Sequence, residues 1–375
     1  MIRLKGMTWD HPRGYDPMIA VSAAWEAAGH ARIHWDKRSL QDFETFPVED
    51  LAREYDLIVI DHPHVGQITA EGCLLPLPDA PEIAGGSLGQ SVPSYHWHGR
   101  QWAWPIDAAA QVQAIRPDLI AGAPADWAGV LDLARQGRVA VPLRAPHALM
   151  SFFTLTANAG HPCRNDGPGP LADRAAGIVA LAQLAELSAL VDPVCFDQDP
   201  IAVLETMAAG HAIACAPLIY GYVSYARRNA TGARLSFHDI PETAPRAGVG
   251  GSALGGTGIA VSAVTAHPEA AIAFARHIAG PEVQCGLYAA AGGQVGHGAA
   301  WRGRAVDEKN SGGFYSGTMR TLDAAWLRPR HDGYMGFQDA ASRRISAALR
   351  DGDFASAMDD LEALFAASFL SARTD

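Results

Sequence analysis

Leu254-Gly255-Gly256-Thr257-Gly258-Ile259-Ala260-Val261-Ser262 decides how the rest of the chain is read. Glycines enter an apolar strand here, and His267-Pro268-Glu269-Ala270-Ala271 then opens an amphipathic helix. Glycine lets a backbone bend and approach a ligand closely. Two architectures fit: a strand with a glycine-rich entry loop in a single α/β domain, or a return crossing from a second lobe to a first.

The totals favour two bodies. A chain of 375 residues, 49% hydrophobic and 18% charged, can bury a large core, and domains of roughly 100–200 residues are the norm. A formal charge of -11 leaves no basic stripe for phosphates, so a nucleic-acid partner is not expected. Five dispersed cysteines, without a CxxC pair or zinc spacing, read as mostly buried thiols and not as a disulfide framework. No apolar run approaches the roughly 20 residues of a membrane span, so membrane insertion is not expected. The first nine residues lack a signal-peptide core. The chain is therefore periplasmic if an export signal has been removed, and cytoplasmic if Met1 is its natural start.

Outward from the glycine cluster, the order of elements is α/β. Residues 2–9 read as a strand running into a loop at 10–16, a helix over 17–28 and a second strand at 31–35, a β-α-β unit with its ligand face at the strand ends. Tyr55–Ile60 is a short, continuously apolar strand suited to a buried parallel sheet, ending in the polar loop Asp61–Gly66. His98-Gly99 marks a hairpin, and residues 102–110 a strand leading to the first crossing at 111–115. A helix over 126–135, a strand at 138–142, an apolar helix over 148–159 and helices at 171–189 and 199–209 follow. Strands at 211–215 and 235–240 precede the glycine cluster. Residues 281–290, 314–325, 334–350 and 354–367 have helical periodicity.

Several stations in this order resemble the extracellular solute-binding proteins of ABC importers, in the maltose-binding branch. They are Tyr55–Asp61 with Pro63 and Gly66; Gly72-Cys73-Leu74-Leu75-Pro76-Leu77; His98–Asp107; Arg116-Pro117-Asp118-Leu119; Gly210–Ala214; the glycine cluster with His267–Ala271; Gly280–Gln284; and Arg328-Pro329-Arg330 with Tyr334. The resemblance covers nearly the whole length. It implies the two-lobed type II periplasmic-binding-protein fold with an interlobe ligand cleft. Lobe 1 is then residues 1–110 plus 258–312, and lobe 2 is 111–257 plus 313–375. The implied function is capture of a small solute by hinged closure, with an ABC permease as partner, a monomeric state, and neither metal nor cofactor.

Within that frame, the strand-end loops supply the binding candidates. Trp9, Asp10, His11, Arg13 and Tyr15 come from the first loop, Asp61, His62 and His64 from the second, and Asp107 from the strand after the hairpin. The second lobe offers Arg144 and His147 at a helix N-terminus and Tyr220 and Tyr222 as an aromatic wall. Gly255, Gly256 and Thr257 complete the set. Arg13 is suited to a carboxylate through its planar fork, or else pairs with Asp10 or Asp16. So many cationic or potentially cationic groups point to a small organic anion, and Thr257 stands where many sugar binders carry an aromatic residue. The same fold also hosts enzymes of the thiaminase and aromatic desulfinase types. The alternative is therefore a cytosolic hydrolase or lyase acting on a small organic acid, with Cys215 as thiolate and Asp61–His62 as acid/base pair. No nucleophile elbow, P-loop or dinucleotide fingerprint accompanies them.

Overall fold

A computed structural model describes residues 1–39, 48–210, 212–227, 232–303 and 311–370. Its strands, in chain order, are β1 (Arg3–Trp9), β2 (Arg32–Arg38), β3 (Leu57–Asp61), β4 (His96–Trp97), β5 (Arg100–Gln101), β6 (Ala103–Ile115), β7 (Cys215–Tyr220), β8 (Ser236–His238) and β9 (Leu254–Val261). Its principal helices are α1 (Pro12–Ala27), α2 (Val48–Glu54), α3 (Val65–Ala70), α4 (Trp127–Arg135), α5 (His147–Asn158), α6 (Arg174–Leu190), α7 (Pro200–Ala209), α8 (Pro268–Ala279), α9 (Phe314–Asp323), α10 (Tyr334–Asp351) and α11 (Phe354–Ser368). The chain divides into two compact units. Unit 1 is Met1–Ala108, Tyr222–Ser224 and Gly255–Ser311, and unit 2 is Ala109–Gly221, Tyr225–Leu254 and Gly312–Asp375. Among the described residues, no helix is long and apolar enough to cross a membrane.

In unit 1, β1 pairs in parallel with β2 along its whole length and with β3 at Gly6 and Met7. The expected β-α-β unit is therefore present, and α1 makes its crossover. The helix begins earlier than the sequence suggests. His11 is extended and its Nδ1 accepts the backbone N–H of Arg13, and Pro12 takes the first helical position. Proline suits that position because its fixed φ is helical and its missing N–H would have no partner there. Arg13 and Tyr15 are accordingly on the first turn of a helix and not in a loop. Met18 and Val21 of α1 are fully buried, each worth about 1.5–3 kcal/mol over exposure. Ser22 accepts the indole N–H of Trp35 at 2.8 Å and pins the helix to β2.

β3 is closed from solvent along Leu57–Ile60, as its unbroken apolar run requires. The segment after it is also helical: His62–His64 form a 3-10 turn that runs into α3, where a loop is expected from the sequence. β9 lies antiparallel to β3, with Thr257 opposite Asp61 and Gly258 opposite Ile60. Gly258 is tight because a Cβ there would come within 2.8–3.0 Å of the Tyr95 ring and Ala103. The hairpin turns at His98 and Gly99, both with positive φ, as a two-residue turn matched to strand twist demands.

In unit 2, β7 and β8 both run antiparallel to β6. A strand expected over 211–215 lies instead at 215–220; His211 is outside the described residues. Pro217 explains the shift. It reads as a breaker, yet β7 carries it across an irregularity in register opposite Val112–Ala114, which is where a sheet tolerates proline. Residues 138–142 form no strand; Val139 makes a single bridge to Cys215. α5 is buried on every side, with Leu149, Phe152, Phe153 and Leu155 fully closed, and it packs against α6 and α10. Ser151 and Thr154 on it are satisfied by neighbouring elements. Gln111 donates to Ser151 at 3.1 Å and accepts from Thr154 at 2.5 Å, while Thr154 in turn accepts the backbone N–H of Ala253.

Candidate functional site

Candidate residues of unit 1 converge where β1, β3, β6 and β9 end or pass. Thr8 donates to the carbonyl of Gly14 at 3.1 Å, fixing the first turn of α1 against β1. Gly14 lies on the Trp9 ring so closely that a Cβ would come within 2.5 Å of it. This closure turns Arg13 inward. Its Nε donates to Asp107 Oδ2 at 2.6 Å and a second guanidinium N–H donates to Oδ1. The side chains are 5% and 0% exposed. Of the expected alternative partners, Asp10 pairs instead with Lys37 at 2.6 Å on the surface, and Lys37 also lies over the Tyr15 ring.

Tyr222 belongs to unit 1, although it is expected with the second lobe. Its ring carries the Arg13 guanidinium 4.3 Å from its centroid and meets His11 edge-on at 5.0 Å. His11 keeps part of its surface exposed, but burial and the neighbouring Arg13 charge lower its pKa to about 4. Asp61 caps the turn that follows β3, accepting the backbone N–H of His62 at 2.8 Å and lying 3.1 Å from His62 Nδ1. His62 meets Tyr95 edge-on, and the Tyr95 hydroxyl donates to the carbonyl of Ile60. His64 is buried in the same turn. Gly256 has φ +104 and directs its carbonyl to Tyr95 at 3.4 Å, while Gly255 is half-buried near the start of β9. Thr257 is buried, and its hydroxyl has no hydrogen-bond partner among the described residues.

Unit 2 gathers a second set at the start of α5. Arg144 lies 3.8 Å from Asp199, which itself caps α7. His147, the first residue of α5, is 3% exposed. Its backbone N–H donates to the carbonyl of Arg144 at 2.7 Å, and its ring meets Tyr220 edge-on. Its Nδ1 has no hydrogen-bond partner among the described residues, and burial lowers its pKa to about 4. Tyr220 and Arg328 both donate to the carbonyl of Leu254, at 3.5 and 3.1 Å. Arg328 was legible only as part of the Arg-Pro-Arg…Tyr station and not as a candidate. Tyr95 gave no signal at all.

One expectation finds no support in this geometry and another fails. The positive charge counted on four of the basic candidates is largely offset: Arg13 is paired with a buried carboxylate, His11 and His147 are neutral near pH 7, and Arg144 has Asp199 beside it. Cys215 is not an activated nucleophile. It is fully buried at the start of β7, its thiol donates to Gln113 Oε1 at 3.4 Å, and burial pushes its pKa far up, the reverse of what thiolate chemistry requires.

An α/β chain in two compact units, with polar side chains gathered at strand and helix ends, has the construction of a solute-binding protein. The sequence bears this out: residues 48–295 match the bacterial extracellular solute-binding protein family, and the chain belongs to that family. No curated protein matches it significantly by sequence. Among solved structures, it is similar to an ABC transporter solute-binding protein of Agrobacterium radiobacter K84 in complex with ribitol. That match has 17% identity, 98% of each chain covered and a TM-score of 0.79. It is also similar to the maltose-bound MalE3 of T. maritima, with 16% identity, 99% and 100% covered and a TM-score of 0.82. A Thermotoga lettingae solute-binding protein bound to α-D-tagatose matches with 14% identity, 98% and 100% covered and a TM-score of 0.82. These likenesses establish the two-lobed periplasmic-binding fold.

Proposed function

We propose that the chain binds a small neutral polyhydroxylated solute, of the sugar or polyol class, and delivers it to an ABC permease. The charge balance of the candidate residues carries this reading. In unit 1 the Arg13 guanidinium is matched by Asp107, Asp61 adds a further carboxylate, and His11 is uncharged near neutrality. An anion would meet no net positive charge there. Neutral hydroxyls, by contrast, suit what the residues offer. Thr257 Oγ1 and His147 Nδ1 are buried polar atoms without partners among the described residues, and such atoms are costly unless something bonds to them. A hydroxyl can donate to an imidazole nitrogen and accept from a threonine. Asp61 can accept from a hydroxyl, and within unit 2 the half-buried Tyr220 ring suits the C–H side of a sugar ring. The structural neighbours crystallised with ribitol, maltose and tagatose agree with this class.

The test is a thermal-shift panel on the purified chain. It would hold neutral mono- and disaccharides, pentitols and hexitols, small carboxylates, amino acids and polyamines, with each stabiliser checked afterwards by mass spectrometry. A neutral sugar or polyol that raises the melting temperature and is recovered intact is the expected result. Stabilisation by carboxylates alone would overturn the neutral class, and a stabiliser recovered chemically altered would overturn binding as the whole function.

A further inference from the structure

We infer that Asp107 sets the charge of the ligand this protein accepts, by holding the Arg13 guanidinium in a neutral pair. Asp107 lies on β6 and Arg13 on the first turn of α1, so two elements distant in sequence are joined by two N–H donors on two carboxylate oxygens. Such fork-to-fork pairing is the form in which arginine ordinarily receives a free carboxylate ligand. Here the protein supplies that carboxylate itself. The pair sits under side chains that keep partial exposure. His11 packs on the Tyr222 ring that carries the guanidinium, and Asp61 is close enough to act electrostatically on Asp107. Among the candidate residues there, Arg13 faces the carboxylates of Asp107 and Asp61, His11 is neutral, and His62 lies 3.1 Å from Asp61. Removing the carboxylate charge of Asp107 leaves the Arg13 charge offset by one carboxylate fewer. Removing the guanidinium leaves two carboxylates.

This assignment rests on the reading that the face around His11 and Asp61 carries the ligand, and its test separates the two. Asp107→Asn, Arg13→Gln and the double variant are purified, checked for native circular dichroism, and titrated at low salt with three matched probes: glucitol, gluconate and glucamine. Asp107→Asn is expected to raise the gluconate-to-glucitol affinity ratio roughly tenfold or more over the parent, the scale of one charge acting at close range in a partly buried site. Arg13→Gln moves preference the other way, raising the glucamine-to-glucitol ratio by a similar factor. The double variant returns both ratios to the parent values. A pair that merely holds the fold would weaken all three probes together and leave the ratios unchanged. Ratios within about twofold of the parent in both folded single variants overturn the assignment. If the parent binds no neutral sugar or polyol, the proposed ligand class falls. The comparison of gluconate-induced stabilisation between Asp107→Asn and the parent then still decides the role of Asp107: a gain supports it and no gain removes it.

Discussion

Replacing Arg13 with methionine should destabilise unit 1 by about 3–5 kcal/mol, the cost of leaving one member of a buried ion pair without its partner. The structure places the site at the severe end of substitutions. Asp107 is 0% exposed at its side chain, and both of its oxygens accept from the guanidinium being removed. For a unit of this size the loss corresponds to a fall in melting temperature of roughly 10 °C or more. The effect carries a pH signature. Burial already pushes the Asp107 carboxyl upward while Arg13 pulls it back; without Arg13 the upward push acts alone. A carboxyl whose folded pKa exceeds its unfolded value of about 3.9 costs stability increasingly as pH rises between the two. The deficit of Arg13→Met should therefore be smaller at pH 5 than at pH 8. Arg13→Met combined with Asp107→Leu should recover most of the loss, since an apolar pair of similar volume avoids burying a lone charge. Urea unfolding followed by circular dichroism and tryptophan fluorescence measures this, with coincidence of the two probes showing whether the units unfold together. A single variant within about 1 kcal/mol of the parent, or a double variant as unstable as the single, would refute the reasoning.

Other consequences follow from burial and hydrogen bonding. Because His11 and His147 have pKa values near 4 when folded and an ordinary value of about 6.5 when unfolded, the stability they contribute is complete above pH 6.5 and is lost as pH falls towards 4. Melting temperature against pH should show that decline, and His147→Phe should flatten part of it. Thr154→Val should cost unit 2 about 1–3 kcal/mol in chemical denaturation, since it strands both the Gln111 amide oxygen and the Ala253 N–H. In native protein, a thiol reagent should modify exposed Cys285 quickly and half-buried Cys73 more slowly, leaving Cys163, Cys195 and Cys215 unreactive until unfolding; rapid native labelling at Cys215 would contradict its buried placement.

Much of the fold was legible because its signals are local. The unbroken apolar run before Asp61, the His98-Gly99 turn and the periodic C-terminal helices each carry their own evidence within a few residues. Prolines misled the reading twice. Pro12 looked like part of a loop but opens α1, and Pro217 looked like the end of a strand but sits inside β7 where the register slips. The candidate residues were chosen because strand-end and helix-start positions can be read from the same patterns. Their charges could not be read. Arg13 and Asp107 are 94 positions apart, and nothing near either residue announces the other. The depressed pKa values of His11 and His147 are likewise products of tertiary burial, so a count of basic side chains overstated the positive charge available to a ligand.

The central claim is that the ligand is a neutral polyhydroxylated molecule, and the most direct measurement is calorimetric titration of the strongest neutral stabiliser at low and at high salt. Recognition by hydrogen bonds from uncharged partners predicts a dissociation constant that changes by less than about twofold between the two conditions, because screening acts on charge pairs. A dissociation constant that rises tenfold or more with salt, or saturable binding confined to carboxylates, would contradict it.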